Sequence, residues 1–237
     1  MLDQIHQLHP GTPYRQKTQP GVYALQDDTL ESGLARPWNP AAARSRAKRL
    51  LDVVLAACAL ALLGPVLLVI AAAVKLDSPG PVFFRQRRHG LDYRVFRIWK
   101  FRTMVALEDG ADVRQATRLD PRVTRVGALL RRVSLDELPQ LLNVLAGDMS
   151  LVGPRPHALA HNRYYAALLP GYERRHAVLP GLTGWAQVNG LRGETDTLDK
   201  MRRRVEHDLA YVDCWSLALD LKILAMTVLP RAYRNAF

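Results

Sequence analysis

Residues Val53–Val74 read VVLAACALALLGPVLLVIAAAV, an apolar stretch without a single charged side chain. At ~1.5 Å per residue it is long enough to cross a hydrocarbon core of roughly 30 Å. A buried core helix is the soluble alternative, but uniform apolarity over this length assigns the segment to lipid. Basic residues flank it on both sides: Arg44, Arg46, Lys48 and Arg49 before it, then Lys75, Arg85, Arg87 and Arg88 after it. The positive-inside bias therefore prefers neither orientation. Pro65 removes a backbone donor in mid-helix and follows Gly64, so a kink is expected there. Two topologies remain open on these grounds: a plain spanning helix, and a bent helix that enters and leaves by the same face.

Upstream, residues 1–46 hold Pro10, Pro13, Pro20, Pro37 and Pro40 with mixed charge and little periodicity, and read as an extended or disordered arm. The arm does not resemble a secretory signal. Downstream, Pro81–Met104 predicts a β-hairpin: PVFFRQRR and YRVFRIWKFRTM are rich in β-branched and aromatic residues, with HGLD as the turn. Ala106–Arg122 is polar and irregular, as in a loop. From Gly127 the patterns are mostly helical, interrupted by GDMSLVGPRP and by the long loop LPGLTGWAQVNGLRG. Asp196–Val212 reads as one charged helix, and Ser216–Tyr233 as an amphipathic helix suited to packing on the domain or lying in a membrane interface.

The 237 residues suffice for one medium domain with appendages, and the formal net charge is +11. Such a chain should seek anionic partners: nucleic acid, phosphorylated metabolites or a lipid surface. No nucleic-acid-binding signature is present, so the charge is assigned to phosphates and anionic lipid. The two cysteines, Cys58 and Cys214, read as reduced packing residues rather than a disulfide framework.

The segment SLDELPQLLNVLAGDMSLVGPRP, Ser134–Pro156, carries the densest chemistry. Ser134 followed three residues later by Glu137 is a capping-box pattern, which alone would explain the acids at a helix start. The same position suits a carboxylate nucleophile, Asp136, kept ionised by the helix N-terminus, with Glu137 beside it to hold a divalent cation. Cations surround the pair in sequence: Arg131 and Arg132 upstream, Arg155 between two prolines, Lys100 and Arg102 at the end of the hairpin, and Arg192 more distantly. Guanidinium and ammonium groups with an acidic pair point to phosphoryl chemistry. His157 and His161 in HALAH lack further ligands and read as surface histidines.

Five ordered blocks resemble the bacterial sugar transferases, the monotopic polyprenyl-phosphate phosphoglycosyl transferases: the basic-flanked apolar helix, KFRTM, SLDELPQLLNVLAGDMSLVGPRP, PGLTGWAQVNG and DLAYVDCWSLALDLKI. The resemblance runs from about Lys48 to Tyr233. It implies an α+β, mostly helical fold: a re-entrant membrane helix plus a small cytoplasmic domain with a β-hairpin and interfacial amphipathic helices. The implied organisation is an arm over 1–46, the re-entrant helix with its Gly-Pro bend over 47–76, and a cytoplasmic phosphoglycosyl transferase domain over 77–237. By matched position, the resemblance makes Asp136 the nucleophile and Glu137 a partner of Mg²⁺, or of Mn²⁺, with Asp208 as a further metal-site acid. It likewise makes Lys100, Arg102, Arg131 and Arg155 the substrate-binding cations, to which Arg192 is added by its place between the glycine-rich loop and the charged helix.

The block RGETDTLDKMRRRVEHDLAYV is similar to members that move glucose 1-phosphate from UDP-glucose to undecaprenyl phosphate in exopolysaccharide assembly. The implied location is the cytoplasmic face of a bacterial inner membrane. The implied partners are a UDP-sugar, undecaprenyl phosphate and membrane lipids, with a homodimer admissible and no nucleic acid. Galactose or an N-acetylated sugar in the same chemistry, and a membrane-anchored scaffold without activity, are the alternatives. Family members often have Ser-Pro at the helix bend, where this chain has Gly64-Pro65.

Overall fold

A computed structural model describes residues 41–105, 120–193 and 195–228. Most of the expected N-terminal arm and residues 106–119 of the expected loop lie outside the described residues. After a short helix α1 (Ala41–Arg44), the Ser45 side chain caps a 32-residue helix α2 (Arg46–Asp77), accepting from Lys48 N at 3.2 Å. The helix runs through Gly64-Pro65 without interruption and ends where Ser78, Pro79, Gly80 and Pro81 stop it.

The middle of α2 carries large apolar side chains exposed on its surface. Leu62 is 79% exposed and Leu68 74%, which no soluble core helix would tolerate. Only its two ends are buried. At the first, Ala56 joins the main apolar core with Leu141, Val144 and Leu151. At the second, Ile70 and Val74 pack on Phe101 and Leu130 in a separate cluster.

Polar contacts reinforce both ends. Lys48 Nζ lies 2.7 Å from Asp220 Oδ2 and donates to Val152 O at 3.0 Å, and Asp52 Oδ1 accepts from Leu151 N at 2.9 Å. Arg49 donates to the Val144 and Leu145 carbonyls at 2.6 and 2.9 Å. At the far end, Asp77 Oδ2 accepts from Val126 N at 3.0 Å.

The hairpin forms as expected, with β1 (Phe83–His89) antiparallel to β2 (Val95–Phe101) and Phe83 opposite Phe101. The turn contains a 3₁₀ segment, Leu91–Tyr93, in which Asp92 and Tyr93 take positive φ. Strand alternation turns Phe96, Ile98 and Lys100 to the inner face. Helix α3 (Arg125–Val133) then leads into a 3₁₀ helix (Leu135–Gln140) and α4 (Leu141–Ala146).

The two blocks read as interruptions in the helical pattern contain strands. In β3 (Ser150–Val152) and β4 (Gly181–Thr183), Ser150 and Val152 pair in parallel with Gly181 and Thr183. A Cβ on Gly181 would sit 2.1 Å from Gly153 N, so this close approach requires glycine. Three-residue strands are too short to show an alternating pattern, which is why the sequence did not reveal them.

The remaining elements are α5 (Leu159–Leu168), a 3₁₀ helix (Tyr172–Ala177), α6 (Trp185–Val188), α7 (Leu198–Asp213) and α8 (Leu217–Val228). Helix α7 matches the expected charged helix to within two residues at its start. Residues 229–233 of the expected last helix lie outside the described residues. The fold is mostly helical, with one antiparallel and one parallel strand pair among the described residues. The cysteines are free, as expected, but both are exposed rather than packed.

Candidate active site

The acidic pair does not sit in a capping box. Ser134 takes the left-handed conformation (φ 59°, ψ 24°) and closes α3, its N–H donating to Arg131 O at 3.2 Å. The backbone donor that a capping box would pair with Glu137 is therefore already used. Asp136 and Glu137 instead project from the tight 3₁₀ turn that follows, where Pro139 lies inside the element. Both are buried, at 8% and 5% exposure.

Three cations from three segments converge on Glu137. Lys100 Nζ reaches Oε1 at 2.7 Å from the inner face of β2. Arg155, just after β3, grips both oxygens: Nη1 donates to Oε2 at 2.9 Å and Nη2 to Oε1. Arg192 Nη2 stands 3.8 Å from Oε2. Burial opposes the charge on Glu137, yet Arg155 and Lys100 hold its carboxyl well below the usual range. Asp136 moves the other way. Burial and then the charge of Glu137 push its carboxyl up, against the pull of Lys100, Arg131 and Arg155. Adjacent carboxyls thus receive opposite treatment, Glu137 as the fixed anion and Asp136 as the carboxyl of higher proton affinity.

Arg131 contributes from the last turn of α3 through its charge on Asp136, with Nη1 3.9 Å from Met104 Sδ. Arg102 departs from the expectation. Its side chain is 2% exposed and turns to the end of α2, donating to the carbonyls of Val74, Ser78 and Pro79. It is not brought to the acidic pair. The helix end offers unpaired carbonyls, and a guanidinium fork satisfies several at once.

Asp208 is also engaged elsewhere. It accepts from Arg175 Nε at 2.8 Å, and Arg175 Nη2 donates to Arg155 O at 2.7 Å. Its connection to Glu137 is therefore indirect, through the backbone that carries Arg155. Among the described residues, no group of three His, Cys, Asp or Glu side chains gathers as a metal cage. Asp136 and Glu137 nevertheless supply adjacent oxygen donors. That suits a hard divalent cation whose other ligands are diphosphate oxygens and water.

Sequence reasoning missed the residues that hold these cations in place. Asn143 accepts from Trp99 N and donates to Arg97 O, both at 2.9 Å, fixing β2 and with it Lys100. Arg204 donates to Leu191 O at 3.0 Å and Gly193 O at 2.6 Å, holding the loop that presents Arg192. Burial brings Arg204 down to about 10. His157, expected at the surface, is buried: its Nδ1 lies 2.6 Å from the Tyr172 hydroxyl and 3.1 Å from Arg175 Nη1. A signal for Arg204 existed. Met201, Arg204, Val205, Asp208, Tyr211 and Val212 recur at helical spacing along α7, and all are buried. Charges placed on an apolar stripe mark internal ion pairs.

The long apolar helix and the acidic pair ringed by Lys100, Arg155 and Arg192 belong to one chain. The family model described as bacterial sugar transferase matches residues 43–232, and the chain belongs to that family. It is 60% identical over 181 residues to the UDP-glucose:undecaprenyl-phosphate glucose-1-phosphate transferase of Escherichia coli (strain K12), covering 76% of this chain and 39% of that protein. A transferase of the same name from Caulobacter vibrioides is also 60% identical over 181 residues, covering 76% of this chain and 68% of the relative. The Aeromonas hydrophila UDP-N-acetylgalactosamine-undecaprenyl-phosphate N-acetylgalactosaminephosphotransferase is 44% identical over 181 residues, covering 76% and 42%. The chain thus spans about two fifths of the length of the Escherichia coli relative.

The Asp208–Arg175 pair is 2% exposed on both sides, so removing one partner leaves a buried charge unpaired. Asp208→Ala is expected to lower stability by about 3–5 kcal/mol, read as a fall in the thermal transition in metal-free buffer. An unchanged transition would mean that the carboxylate serves something other than Arg175.

Proposed function

We propose that this chain transfers glucose 1-phosphate from UDP-glucose to undecaprenyl phosphate at the cytoplasmic face of a bacterial inner membrane, releasing UMP, as the first membrane step of exopolysaccharide assembly. The observation that carries this reading is the unequal acidic pair: Glu137 ringed by Lys100, Arg155 and Arg192, with Asp136 beside it under no hydrogen bond from the described residues. Asp136 attacks the phosphorus bonded to the sugar. The bond from that phosphorus to the bridging diphosphate oxygen breaks, UMP leaves, and the sugar phosphate stays on the carboxyl as an acyl phosphate. An oxygen of undecaprenyl phosphate then attacks the same phosphorus. Asp136 is released as a carboxylate and the product is a polyprenyl diphosphate sugar.

The cations around Glu137 are placed to shift onto phosphate oxygens as charge develops there, where positioning and electrostatics supply most of the catalysis. Mg²⁺, or Mn²⁺, held by Glu137 together with Asp136 would add Lewis-acid stabilisation to the transferring phosphoryl group. Glucose is favoured over an N-acetylated sugar because the relatives named for glucose are the more similar, 60% against 44% identical.

The re-entrant topology belongs to the same proposal. Both ends of α2 are tied to one domain, by Lys48, Arg49 and Asp52 at the start and by Val74 and Asp77 at the end. A helix crossing the bilayer would place its ends on opposite sides, whereas one domain stands on one side. The basic flanks and Gly64-Pro65 support the same bend, Pro65 leaving the Ala61 carbonyl without its helical partner.

Asp136→Asn is expected to abolish UMP release and the covalent sugar-phosphate adduct while leaving the thermal transition intact. The assay is a UDP-sugar panel with undecaprenyl phosphate, in which UDP-glucose should lead. Retained turnover in the variant, or preference for another sugar, would reject the corresponding part of the reading.

Excess chelator should stop the reaction, and Glu137→Gln should raise the Mg²⁺ concentration needed for half-maximal rate. A rate indifferent to chelator would remove the metal from the mechanism.

For topology, single cysteines at Arg46 and Leu76, in a background without Cys58 and Cys214, should both resist an impermeant thiol reagent applied outside sealed cells. External labelling of either would establish a crossing.

A further inference from the structure

We infer that Arg102 is a positioning residue that sets the height of the Asp136–Glu137 pair relative to the point where α2 leaves the lipid, and so serves the step with the membrane-borne acceptor. The inference rests on the transferase reading and adds a role that the acidic site itself does not contain.

The guanidinium is wrapped by the chain that exits α2. Nη1 donates to Pro79 O at 2.7 Å, and Nη2 donates to Ser78 O at 2.6 Å and Val74 O at 3.2 Å. Gly80, at φ +122°, passes so near that a Cβ there would fall 2.1 Å from Nη1. The positive φ favours glycine, and a Cβ there would have to push the guanidinium aside. The Arg102 backbone is pinned as well, its N–H donating to Val82 O at 2.9 Å. One residue back, Phe101 packs on Ile70 and Val74 of the same helix end. Two residues back, and so on the same side of the extended chain, Lys100 Nζ holds Glu137 at 2.7 Å. Lys100–Arg102 is therefore a strut of about 7 Å between the end of the lipid helix and the acidic pair.

A second strut runs parallel to it. Asp77 at the helix end accepts from Val126 N, and Thr124 N donates to Thr103 O at 3.0 Å, fixing the start of α3. Helix α3 then delivers the chain to Ser134 and Asp136 within the same short span. Both routes from lipid to carboxylate begin at the turn that Arg102 clamps.

The two half-reactions respond differently to height. UDP-glucose arrives from water and can follow the carboxylates wherever they stand. The acceptor phosphate is held at the depth its hydrocarbon tail imposes, so a displacement of the pair along the membrane normal penalises that step alone. A shift of about 1 Å is enough to reduce a rate by up to about a hundredfold.

The test uses the full chain in nanodiscs of phosphatidylethanolamine and phosphatidylglycerol. Arg102→Lys keeps the charge but cannot fork across three carbonyls. Gly80→Ala keeps the arginine and displaces its guanidinium, so it decides the matter if the first variant fails to fold. In either variant the UMP burst without acceptor should stay within about twofold, while turnover with bilayer undecaprenyl phosphate falls about tenfold or more. Turnover with geranyl phosphate in solution should be spared, because a short acceptor can adjust its depth. Equal loss in all three assays, or loss in none, overturns the inference.

A depth measurement separates this outcome from failure of the transferase reading. A fluorophore on Ala128→Cys, in the background without Cys58 and Cys214, is quenched by lipids spin-labelled at two depths. The quenching ratio should change with Arg102→Lys. An unchanged ratio overturns the positioning role. A changed ratio in a protein that gives no UMP burst even when unmodified would reject the transferase reading and uphold the positioning.

Discussion

A buried carboxylate keeps its charge only when cations are brought to it, and Glu137 draws them from three separated parts of the chain. Lys100 comes from a strand, Arg155 from the turn after β3, and Arg192 from the loop before α7. Much of the remaining fold places those three groups. Asn143 fixes the strand, Arg175 fixes the backbone at Arg155, and Arg204 fixes the loop. The convergence also gives Asp136 its character, since a neighbour that stays ionised raises its proton affinity while the surrounding cations keep the pair tolerable.

The basic composition has two meanings that net charge alone does not separate. Part of it lines the acidic site, and the charge of Arg131 acts on Asp136. Another part is engaged by the protein's own acceptors. Arg49, Arg102 and Arg204 donate to main-chain carbonyls, while Lys48 and Arg175 also pair with buried aspartates. A guanidinium satisfies several carbonyls with one side chain, which suits helix ends and loops that must be held against one another. A charge of +11 therefore overstates the cations available to phosphate or lipid.

The Lys48–Asp220 pair shows how the lipid helix is joined to the domain. Asp220 also accepts from the Tyr211 hydroxyl at 2.8 Å and from Trp215 Nε1 at 3.0 Å, while Lys48 donates to Val152 O, which lies 3.0 Å from the same hydroxyl. Four elements thus meet at one satisfied polar knot: α2, β3, α7 and α8. Such a knot fixes orientation in a way that sliding apolar contacts do not, because each displaced partner would leave a buried polar group unpaired.

By itself the sequence determined the features that depend on near neighbours. The apolar run of α2, the hairpin with its turn, the helix Leu198–Asp213 and the adjacency of Asp136 and Glu137 all follow from local period, turn chemistry or covalent order. Tertiary structure alone decided which cations reach the acids and which end on carbonyls. Lys100 and Arg102 stand two residues apart in one motif, yet one meets Glu137 and the other the end of α2. It likewise decided that Ser134 closes a helix and opens the next 3₁₀ turn without a side-chain cap, and that GDMSLVGPRP and the LPGLTG segment meet as parallel strands. The reason is common to all of them. An unpaired carbonyl or a buried carboxylate exists only once distant segments have packed, and the donor that satisfies it is selected by position in space, not by spacing along the chain.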